Sequence, residues 1–326
     1  MLDKALLLVN FGGPRNLEEV TPFLIELLTD EELLRTNLPS FLHCFFFTRI
    51  AKKRASHLTK DYEEIGGFSP IYFDTEELKK KLSMHLQQEV LTFHRYLPAT
   101  HEESLKKIEV CKAKKIQVFP FFPQFCSGTT GSIASFFCDR LSPKALAKLE
   151  WIRSYPDHPA FISCYQKKIG ALMEKQGLSE ETTLLLFSFH GVPKAFIEEG
   201  DTYEKECLAS FNACRKHFPK AAAFLSYQSK FGRGEWLEPA TDTLCRRIST
   251  LAQGKTACIV VPISFTSDHI ETLFEIEKLY LPLIRAQGIK AFRCDALNCD
   301  PEWFYSILQI TKENQKSFDT HSLCRW

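Results

Sequence analysis

Two short apolar runs, each followed by a polar segment that carries a histidine, constrain the fold more than any other feature of the chain. Residues 184–189 lead to His190, and residues 259–263 lead to His269 and Glu271. Runs of this length suit buried parallel strands, and an open α/β sheet places its site at the carboxyl ends of such strands. We therefore expect imidazole and carboxylate groups to meet at one sheet edge, where they can bind a metal ion or transfer protons.

The rest of the chain alternates between strand-like and helix-like segments, which predicts βαβ units with parallel sheets. The strand-like runs cover residues 6–10, 90–96, 116–120, 151–155, 183–188, 222–226, 258–263 and 290–294. The longer helix-like runs cover residues 17–28, 76–89, 102–113, 159–175, 203–217, 239–253, 268–286 and 301–317. The two halves also resemble each other, because residues 6–14 repeat the strand-and-turn pattern that ends at Pro193.

A length of 326 residues is sufficient for two domains with separate cores. We predict an α/β fold with two doubly wound, Rossmann-like parallel-sheet domains that face each other across a cleft. The first is expected to cover residues 1–150 together with a C-terminal helix at 301–318, and the second to cover residues 151–300. The second domain then carries His190 and an acidic helix at 268–286.

The bulk composition excludes several classes of protein. A formal net charge of +1 gives no general attraction to nucleic acid. No apolar stretch reaches the roughly 18 residues of a membrane span, and the N-terminal apolar run is too short for a signal peptide. Phosphate-binding glycine motifs and the nucleophile elbow of hydrolases are also missing from the sequence. We expect a cytoplasmic monomer that does not bind nucleic acid.

The twelve cysteines fit a reducing compartment. They include no C-x-x-C pair, and Cys44, Cys138 and Cys258 lie in apolar segments where a free thiol acts as a small hydrophobic group. We expect reduced, unpaired thiols, with a metal or iron–sulfur site as the alternative.

Asp268, Glu271 and Glu275 are spaced i, i+3 and i+7, so on a helix they would form one stripe of carboxylates. Asp268 and Glu271 also match a capping box, which stabilises a helix start without any further function. Capping does not account for Glu275, and stacked like charges raise one another's pKa. From the spacing alone, capping and a path for a divalent cation or for protons both remain open.

Aromatic residues and one arginine at predicted strand ends suggest a large flat ligand, although aromatic residues are more often part of a core. They are Phe11, Arg95, Tyr96, Trp236 and Phe265.

Residues 40–56 join an aromatic run to the basic residues Lys52, Lys53 and Arg54. This segment is either a solvated helix end or an apolar lip over a cleft. As a lip, its cations would meet ligand carboxylates or the surface of a membrane.

Several motifs together resemble the ferrochelatases, enzymes that insert ferrous iron into a porphyrin to make haem. The matching segments run from residue 6 almost to the C-terminus and include residues 10–14, 62–70, 95–96, 123–132, 188–193, 236–242 and 265–273. The most specific is Phe265-Thr266-Ser267-Asp268-His269-Ile270-Glu271-Thr272-Leu273.

The resemblance implies a role for each matching residue. His190 matches the histidine that accepts pyrrole protons or binds the metal, and Glu271 matches the acid that faces it. Asp268, His269 and Glu275 match a supporting polar helix and metal relay, which in the family begins with a π-type distortion that aligns Glu271 and Glu275. Positions around the macrocycle are matched by Phe11, Arg95, Tyr96, Trp236, Phe265 and His269, and positions near the propionates by Arg54, Tyr62 and Ser69.

The resemblance further implies that Fe²⁺ and a porphyrin, most simply protoporphyrin IX, are substrates and that haem is the product. No tightly bound cofactor is expected. Some relatives carry a 2Fe–2S cluster on cysteines that include a C-terminal C-x-x-C, but this chain ends Leu323-Cys324-Arg325-Trp326, and Cys126 lies one position from the matching loop cysteine. We therefore expect no cluster. Phe11 also departs from the methionine or tyrosine that relatives often have there.

Two other classes of function stay open on the sequence. A related chelatase would insert cobalt or nickel, or act on sirohydrochlorin or coproporphyrin. A tetrapyrrole carrier would bind without turnover and would need an axial ligand but no acidic stripe.

Overall fold

The computed structural model describes residues 3–232, 234–314 and 316–324. The chain forms two compact units, one of Met1–Ser154 with Ile307–Trp326 and the other of Tyr155–Ser306. The division falls inside the helix Pro301–Glu313, whose residues 301–306 belong to the second unit. No helix among the described residues combines the length and the apolar character needed to cross a membrane.

The first unit contains a parallel four-stranded sheet in the order β2-β1-β3-β4. Its strands are β1 (Lys4–Asn10), β2 (Val90–His94), β3 (Lys115–Pro120) and β4 (Leu149–Trp151). Apolar runs that are buried on both faces, as a parallel sheet requires, explain why these segments are strands.

The second unit repeats this strand order as β6-β5-β7-β8, again with all strands parallel. Its strands are β5 (Thr183–His190), β6 (Ala222–Gln228), β7 (Ala257–Val261) and β8 (Lys290–Arg293). The prediction of two parallel α/β sheets is therefore confirmed, and the echo between the two halves corresponds to one topology used twice.

Helices surround both sheets. The α-helices are α1 (Val20–Leu28), α2 (Ser40–Glu63), α3 (Pro70–Leu86), α4 (His101–Val110), α5 (Ser132–Arg140), α6 (Pro143–Leu146), α7 (Pro159–Lys175), α8 (Lys194–Glu198), α9 (Tyr203–Arg215), α10 (Thr241–Arg246), α11 (Ile248–Leu251), α12 (Leu281–Arg285) and α13 (Pro301–Glu313). Two π-helices cover Ser127–Gly131 and Ile270–Tyr280, and 3-10 turns cover Leu17–Glu19, Pro98–Thr100, Glu180–Thr182 and His321–Leu323.

Four predicted elements differ most from the structure. The helix expected at 76–89 is α3, which begins at Pro70 and ends at Leu86. The helix expected at 239–253 is split into α10 and α11, because Arg247 between them has a non-helical backbone (φ −116°, ψ 17°). The strand expected at 151–155 is instead β4, which ends where Trp151 leaves the parallel ladder to form an antiparallel bridge with Phe318. The helix expected at 268–286 begins two residues later and is a π-helix for most of its length.

The aromatic segment near residue 40 lies at the start of α2. Phe41, Phe45 and Phe46 are 72%, 55% and 48% exposed, and Ile50 extends the same exposed apolar surface. The basic residues Lys52, Lys53 and Arg54 follow on the same helix and are exposed. We call Phe41, Phe45, Phe46 and Ile50 the apolar lip.

A buried ion-pair network ties three elements of the first unit together. Asp30, just after α1, accepts hydrogen bonds from Arg95 (3.0 Å), from the Tyr96 hydroxyl (2.7 Å) and from Ser132 at the start of α5. Arg95 also pairs with Glu26 on α1 at 2.7 Å. A buried charge without a partner is costly, so the five groups hold α1, the end of β2 and α5 in one arrangement.

We predict that Asp30→Asn lowers the free energy of unfolding by about 3 kcal/mol, because the buried Arg95 guanidinium loses the carboxylate charge of its partner. Urea unfolding measures this loss. Glu103→Gln, which breaks the exposed pair with Lys107, serves as the control and should leave the midpoint unchanged. An equal midpoint for both variants would contradict the structural role of the network.

Candidate active site

The topology of the second sheet fixes where a site can form. The chain runs from β5 to β6 on one side and then crosses back to β7 on the other side of β5. In doubly wound sheets, ligands bind at such a switch point, outside the carboxyl ends of the two central strands. The residues that follow β5 and β7 are therefore the candidates.

His190 is the last residue of β5, and its side chain is 34% exposed while the rest of the strand is buried. Gly191 turns the chain directly afterwards. A Cβ atom there would lie 2.7 Å from the Gln228 carbonyl oxygen, so the close approach of the two strand ends requires glycine. The Tyr203 hydroxyl donates to the His190 carbonyl oxygen at 2.9 Å and fixes the backbone on the other side.

The His190 imidazole meets the Glu271 carboxylate at this edge, with Nδ1 2.8 Å from Oε2. Burial disfavours the imidazolium, but the charge and hydrogen bond of Glu271 outweigh it and raise the pKa of His190 above its ordinary 6.5. Burial also opposes ionisation of Glu271, yet the charge and hydrogen bond of His190 lower its pKa to about 2. When His190 is protonated, the two side chains form an imidazolium–carboxylate ion pair, and when His190 is neutral, Glu271 makes it a stronger base.

Glu271 is presented by the π-helix Ile270–Tyr280, as the resemblance implies. Ile276 on this helix packs into the same core cluster as Leu186 and Val260 of the sheet. The wider turn of a π-helix, with hydrogen bonds from i to i+5, keeps residues four apart on one face. Glu271 and Glu275 therefore share a face, and the core contacts of Ile276 fix the orientation of the helix.

Ser229 connects these two carboxylates. Its hydroxyl is 2.9 Å from Glu271 Oε2 and 2.5 Å from Glu275 Oε2, and its N–H donates to Glu275 Oε1 at 3.0 Å. A positive φ of 64° at Ser229 turns both groups toward the acids. Burial and then the charge of Glu271 raise the pKa of Glu275, and the Ser229 hydroxyl donates to Glu275 Oε2. Tyr280 donates to Glu275 at the far end of this chain.

Asp268 does not join the predicted stripe of carboxylates. It precedes the π-helix, and its carboxylate accepts from Arg293 Nη1 at 2.6 Å, from Asn298 Nδ2 at 2.8 Å and from Thr272 Oγ1 at 2.8 Å. The prediction of a three-residue stripe was wrong at Asp268. The i, i+3 spacing assumed that Asp268 lies on the helix, whereas the helix begins at Ile270. Asp268 acts on the helix start, and the stripe consists of Glu271 and Glu275.

Two aromatic residues lie beside His190. The Phe265 ring is 6.2 Å from the His190 ring and 4.7 Å from that of His269. Trp236 pairs with Pro193 in an antiparallel bridge, which places its ring next to Gly191. His269 is buried, and burial lowers its pKa and disfavours the charged imidazolium. Its Nδ1 has no hydrogen-bond partner within the described residues.

Comparison with known proteins places nearly the whole chain in one family. The model of the family described as Ferrochelatase matches residues 3–315. A Chlamydia pneumoniae protein named ferrochelatase is 43% identical over 314 residues, covering 96% of this chain and 94% of that protein. A second, from Chlamydia abortus, is 41% identical and covers 98% of both chains.

The chain belongs to the ferrochelatase family. The resemblance read from the sequence motifs is confirmed, and family membership identifies a metal chelatase with a porphyrin as substrate and haem as product.

Solved structures confirm the fold of this ferrochelatase family member. SirB from Bacillus subtilis, solved with Fe³⁺, has a TM-score of 0.54 at 11% identity and covers 98% of this chain and 100% of SirB. The sirohydrochlorin chelatase SirB from Bacillus subtilis subspecies spizizenii, in complex with cobalt, has a TM-score of 0.52 at 10% identity with the same coverage.

The candidate porphyrin contacts of the first unit form two groups. Phe11 lies 4.5 Å from the Tyr96 ring, and the Arg95 guanidinium lies 4.9 Å from the same ring. Tyr96 is fully buried, and the donors of Arg95 are directed to Glu26, Asp30 and Ser132. Both residues thus have structural partners already, and their contact with a macrocycle stays a prediction.

The second group consists of Tyr62, Ser69 and Arg54. Tyr62 and Ser69 are buried, and Arg54 is exposed on α2. Ser69 packs so closely against Gly13 that a Cβ on that glycine would lie 2.6 Å from the serine hydroxyl. Their placement near propionates also stays a prediction.

Sequence reasoning missed Ser229, Gln228 and Tyr280. Gln228 ends β6 and donates to the Glu271 carbonyl oxygen at 3.0 Å. The rule that polar residues at strand ends build the site would have found Gln228 and Ser229, because they follow a predicted strand. Nothing local in the sequence distinguishes Tyr280.

Among the described residues, no group of three or more His, Cys, Asp and Glu side chains is arranged to hold a metal ion.

We predict that Glu271→Gln destabilises the protein more near pH 6 than near pH 9. The stabilisation from the charged His190 is complete below about pH 6.5 and is lost as the pH rises through its raised folded-state pKa. The Glu271 contribution is complete above about pH 4.5 and is lost as the pH falls toward 2. Because both side chains are partly exposed, the loss near pH 6 should be about 1 kcal/mol.

Urea unfolding at both pH values tests this difference, and an NMR titration of the His190 ring should show a lower pKa in the variant. Glu204→Gln, on the surface of α9, is the control and should behave alike at both pH values. A His190 pKa that is the same in wild type and Glu271→Gln would contradict the ion pair.

Proposed function

We propose that this protein inserts Fe²⁺ into protoporphyrin IX to form haem, with the release of two protons, and that His190 accepts those protons. The observation that carries the proposal is the His190–Glu271 pair at 2.8 Å, placed at the switch point of the second sheet. The alternatives are a different metal or coproporphyrin as the substrate.

Deprotonation is the first requirement of the reaction. A free porphyrin carries two inner N–H groups, and their protons must leave before a dication can occupy the ring. His190 is suited to accept them, because Glu271 raises its pKa and orients its ring through Nδ1. With Nδ1 engaged by Glu271, the other ring nitrogen, Nε2, would accept the pyrrole proton.

Protons can leave His190 along a chain of hydrogen bonds. The chain runs from His190 to Glu271, through the Ser229 hydroxyl to Glu275, and ends at Tyr280. Each step joins groups within hydrogen-bond distance, so a proton can pass by exchange along the chain. The raised pKa of Glu275 favours its acceptance of a proton from the Ser229 hydroxyl, which donates to it.

Iron is a substrate here, so the site need only hold it briefly. An imidazole and a carboxylate are ligands that Fe²⁺ accepts, and two such groups leave other coordination positions for water and for pyrrole nitrogens. His190 and Glu271 would take this role with Glu275 as the relay. The approaching dication disfavours the imidazolium, so iron binding and protonation compete at His190.

Aromatic side chains would hold the porphyrin bent, so that its nitrogen lone pairs become accessible. Distortion of this kind costs about 1–5 kcal/mol, which remote binding contacts offset. Phe265, Trp236 and His269 are the proposed contacts in the second unit, where they lie around the end of β5. The proposed porphyrin contacts in the first unit are Phe11, Arg54, Tyr62, Ser69, Arg95 and Tyr96.

We predict that His190→Ala lowers the rate of iron insertion by roughly 100-fold or more, because it removes the base. The assay supplies anaerobic Fe²⁺ with protoporphyrin IX and, separately, with coproporphyrin, and follows the visible spectrum. Porphyrin binding and the melting temperature should change little. His217→Ala, on the surface after α9, is the control variant. Insertion by His190→Ala at a rate near wild type would refute the role of His190.

We also propose that the apolar lip contacts an anionic membrane surface. Phe41, Phe45 and Phe46 offer apolar groups to the acyl boundary, and Lys52 and Lys53 follow on the same helix as exposed cations. This combination of apolar and basic residues is typical of helices that lie in the membrane interface.

Vesicles that contain phosphatidylglycerol should sediment the protein, and replacing Phe41, Phe45 and Phe46 by serine should weaken this binding at least about tenfold. Leu208→Ser removes an exposed apolar residue from α9 and is the control. Iron insertion in solution should persist in the lip variant. Equal sedimentation of the lip variant and the control would exclude the lip as the membrane contact.

A further inference from the structure

Two thiols and an imidazole meet in the first unit, in a group that the proposed reaction does not use. Cys138 on α5 has its Sγ 3.6 Å from that of Cys324 near the C-terminus. The Nδ1 atom of His321 is 3.4 Å from Cys138 Sγ. Both cysteines are partly exposed, and His321 is exposed, so a small molecule can reach the group.

The C-terminal segment is docked by contacts that do not involve the thiols. Trp151 and Phe318 exchange two backbone hydrogen bonds, at 2.9 and 3.1 Å, and the Trp151 indole N–H donates to Thr320 Oγ1 at 3.0 Å. Leu323 is buried in the core cluster of the unit. Cys324 is therefore held beside α5 by the fold, and the two thiols have a high effective concentration with respect to each other.

The environment of Cys138 opposes its ionisation. Burial, and next the hydrogen bond with Cys324, raise the pKa of the Cys138 thiol to about 12. Thiolates are the reactive form in disulfide chemistry, so Cys138 reacts only if a base takes its proton. His321 is in position to do so.

We propose that Cys138 and Cys324 are a redox-active pair that forms a disulfide by exchange with a low-molecular-weight disulfide such as oxidised glutathione. The Cys324 thiolate attacks one sulfur of the oxidant, which forms a mixed disulfide and releases one glutathione thiolate. His321 then removes the Cys138 proton, and the Cys138 thiolate attacks the Cys324 sulfur and releases the second glutathione. Two protein thiols are oxidised, and one molecule of oxidised glutathione is reduced to two thiols.

The resulting crosslink would tie the C-terminal segment to α5. The first residue of this helix, Ser132, hydrogen-bonds to Asp30 and Arg95 in the buried network of the unit. The crosslink closes a loop that contains most of the chain, and such loops restrict the unfolded state most strongly. Oxidation should therefore raise the melting temperature by roughly several degrees.

The experiment uses the reduced full-length protein, incubated with oxidised glutathione, quenched by alkylation and digested without reduction. Mass spectrometry should find the peptide of Cys138 joined to that of Cys324, with the loss of two of the twelve thiols. Cys138→Ser should trap one glutathione on Cys324. His321→Asn should slow crosslinking by roughly tenfold or more and let the same mixed disulfide accumulate.

The exposed Cys44 provides the matched control, because Cys44→Ser should leave the crosslink between Cys138 and Cys324 unchanged. The proposal is overturned if the crosslink is missing, if other cysteines pair instead, or if the same pair forms equally fast in urea. A melting temperature that does not rise on oxidation would refute the link to stability. None of these outcomes depends on iron insertion, so the proposal stands apart from the role of His190.

Discussion

The ion pair between His190 and Glu271 is the interaction on which the proposed function depends. A half-exposed imidazole next to a carboxylate at 2.8 Å becomes a stronger base without losing access to a substrate. The pair exists only because β5 lies between β6 and β7 with all three strands parallel, which brings the residues after β5 and β7 to one edge. The parallel order of the sheet is thus a chemical requirement as well as a packing solution.

The π-helix converts this pair into a longer chain of polar groups. Its first turn is fixed by Asp268, which the buried Arg293 holds in place, and its apolar face packs on the sheet. Glu275 consequently faces the same way as Glu271, and Ser229 bridges the two acids. Asp268 and Arg293 therefore support the site by positioning, because both carboxylate oxygens of Asp268 are already engaged.

The first unit uses the same strand order for a different purpose. At the carboxyl end of its sheet, Arg95 forms an ion pair with Asp30 and donates to Ser132, and these contacts hold α1 and α5 in place. Similar topology therefore does not dictate similar chemistry, since the side chains at the strand ends decide it. At the carboxyl ends of its strands, the second unit has titratable side chains, His190 and Glu271, that are partly exposed to solvent. The first unit instead has Arg95 at this edge, buried and paired with Asp30.

The sequence alone determined the two parallel sheets, the approximate positions of their strands, and the expectation that His190 and Glu271 lie at one sheet edge, because buried apolar runs and polar strand ends are local signals. The helix at residues 159–175 was predicted to the residue. Only the tertiary structure decided that Asp268 pairs with Arg293 and that Ser229 joins the acids. These contacts link residues 25 to 46 positions apart, and no periodicity within one element records which distant partner will neutralise a charge.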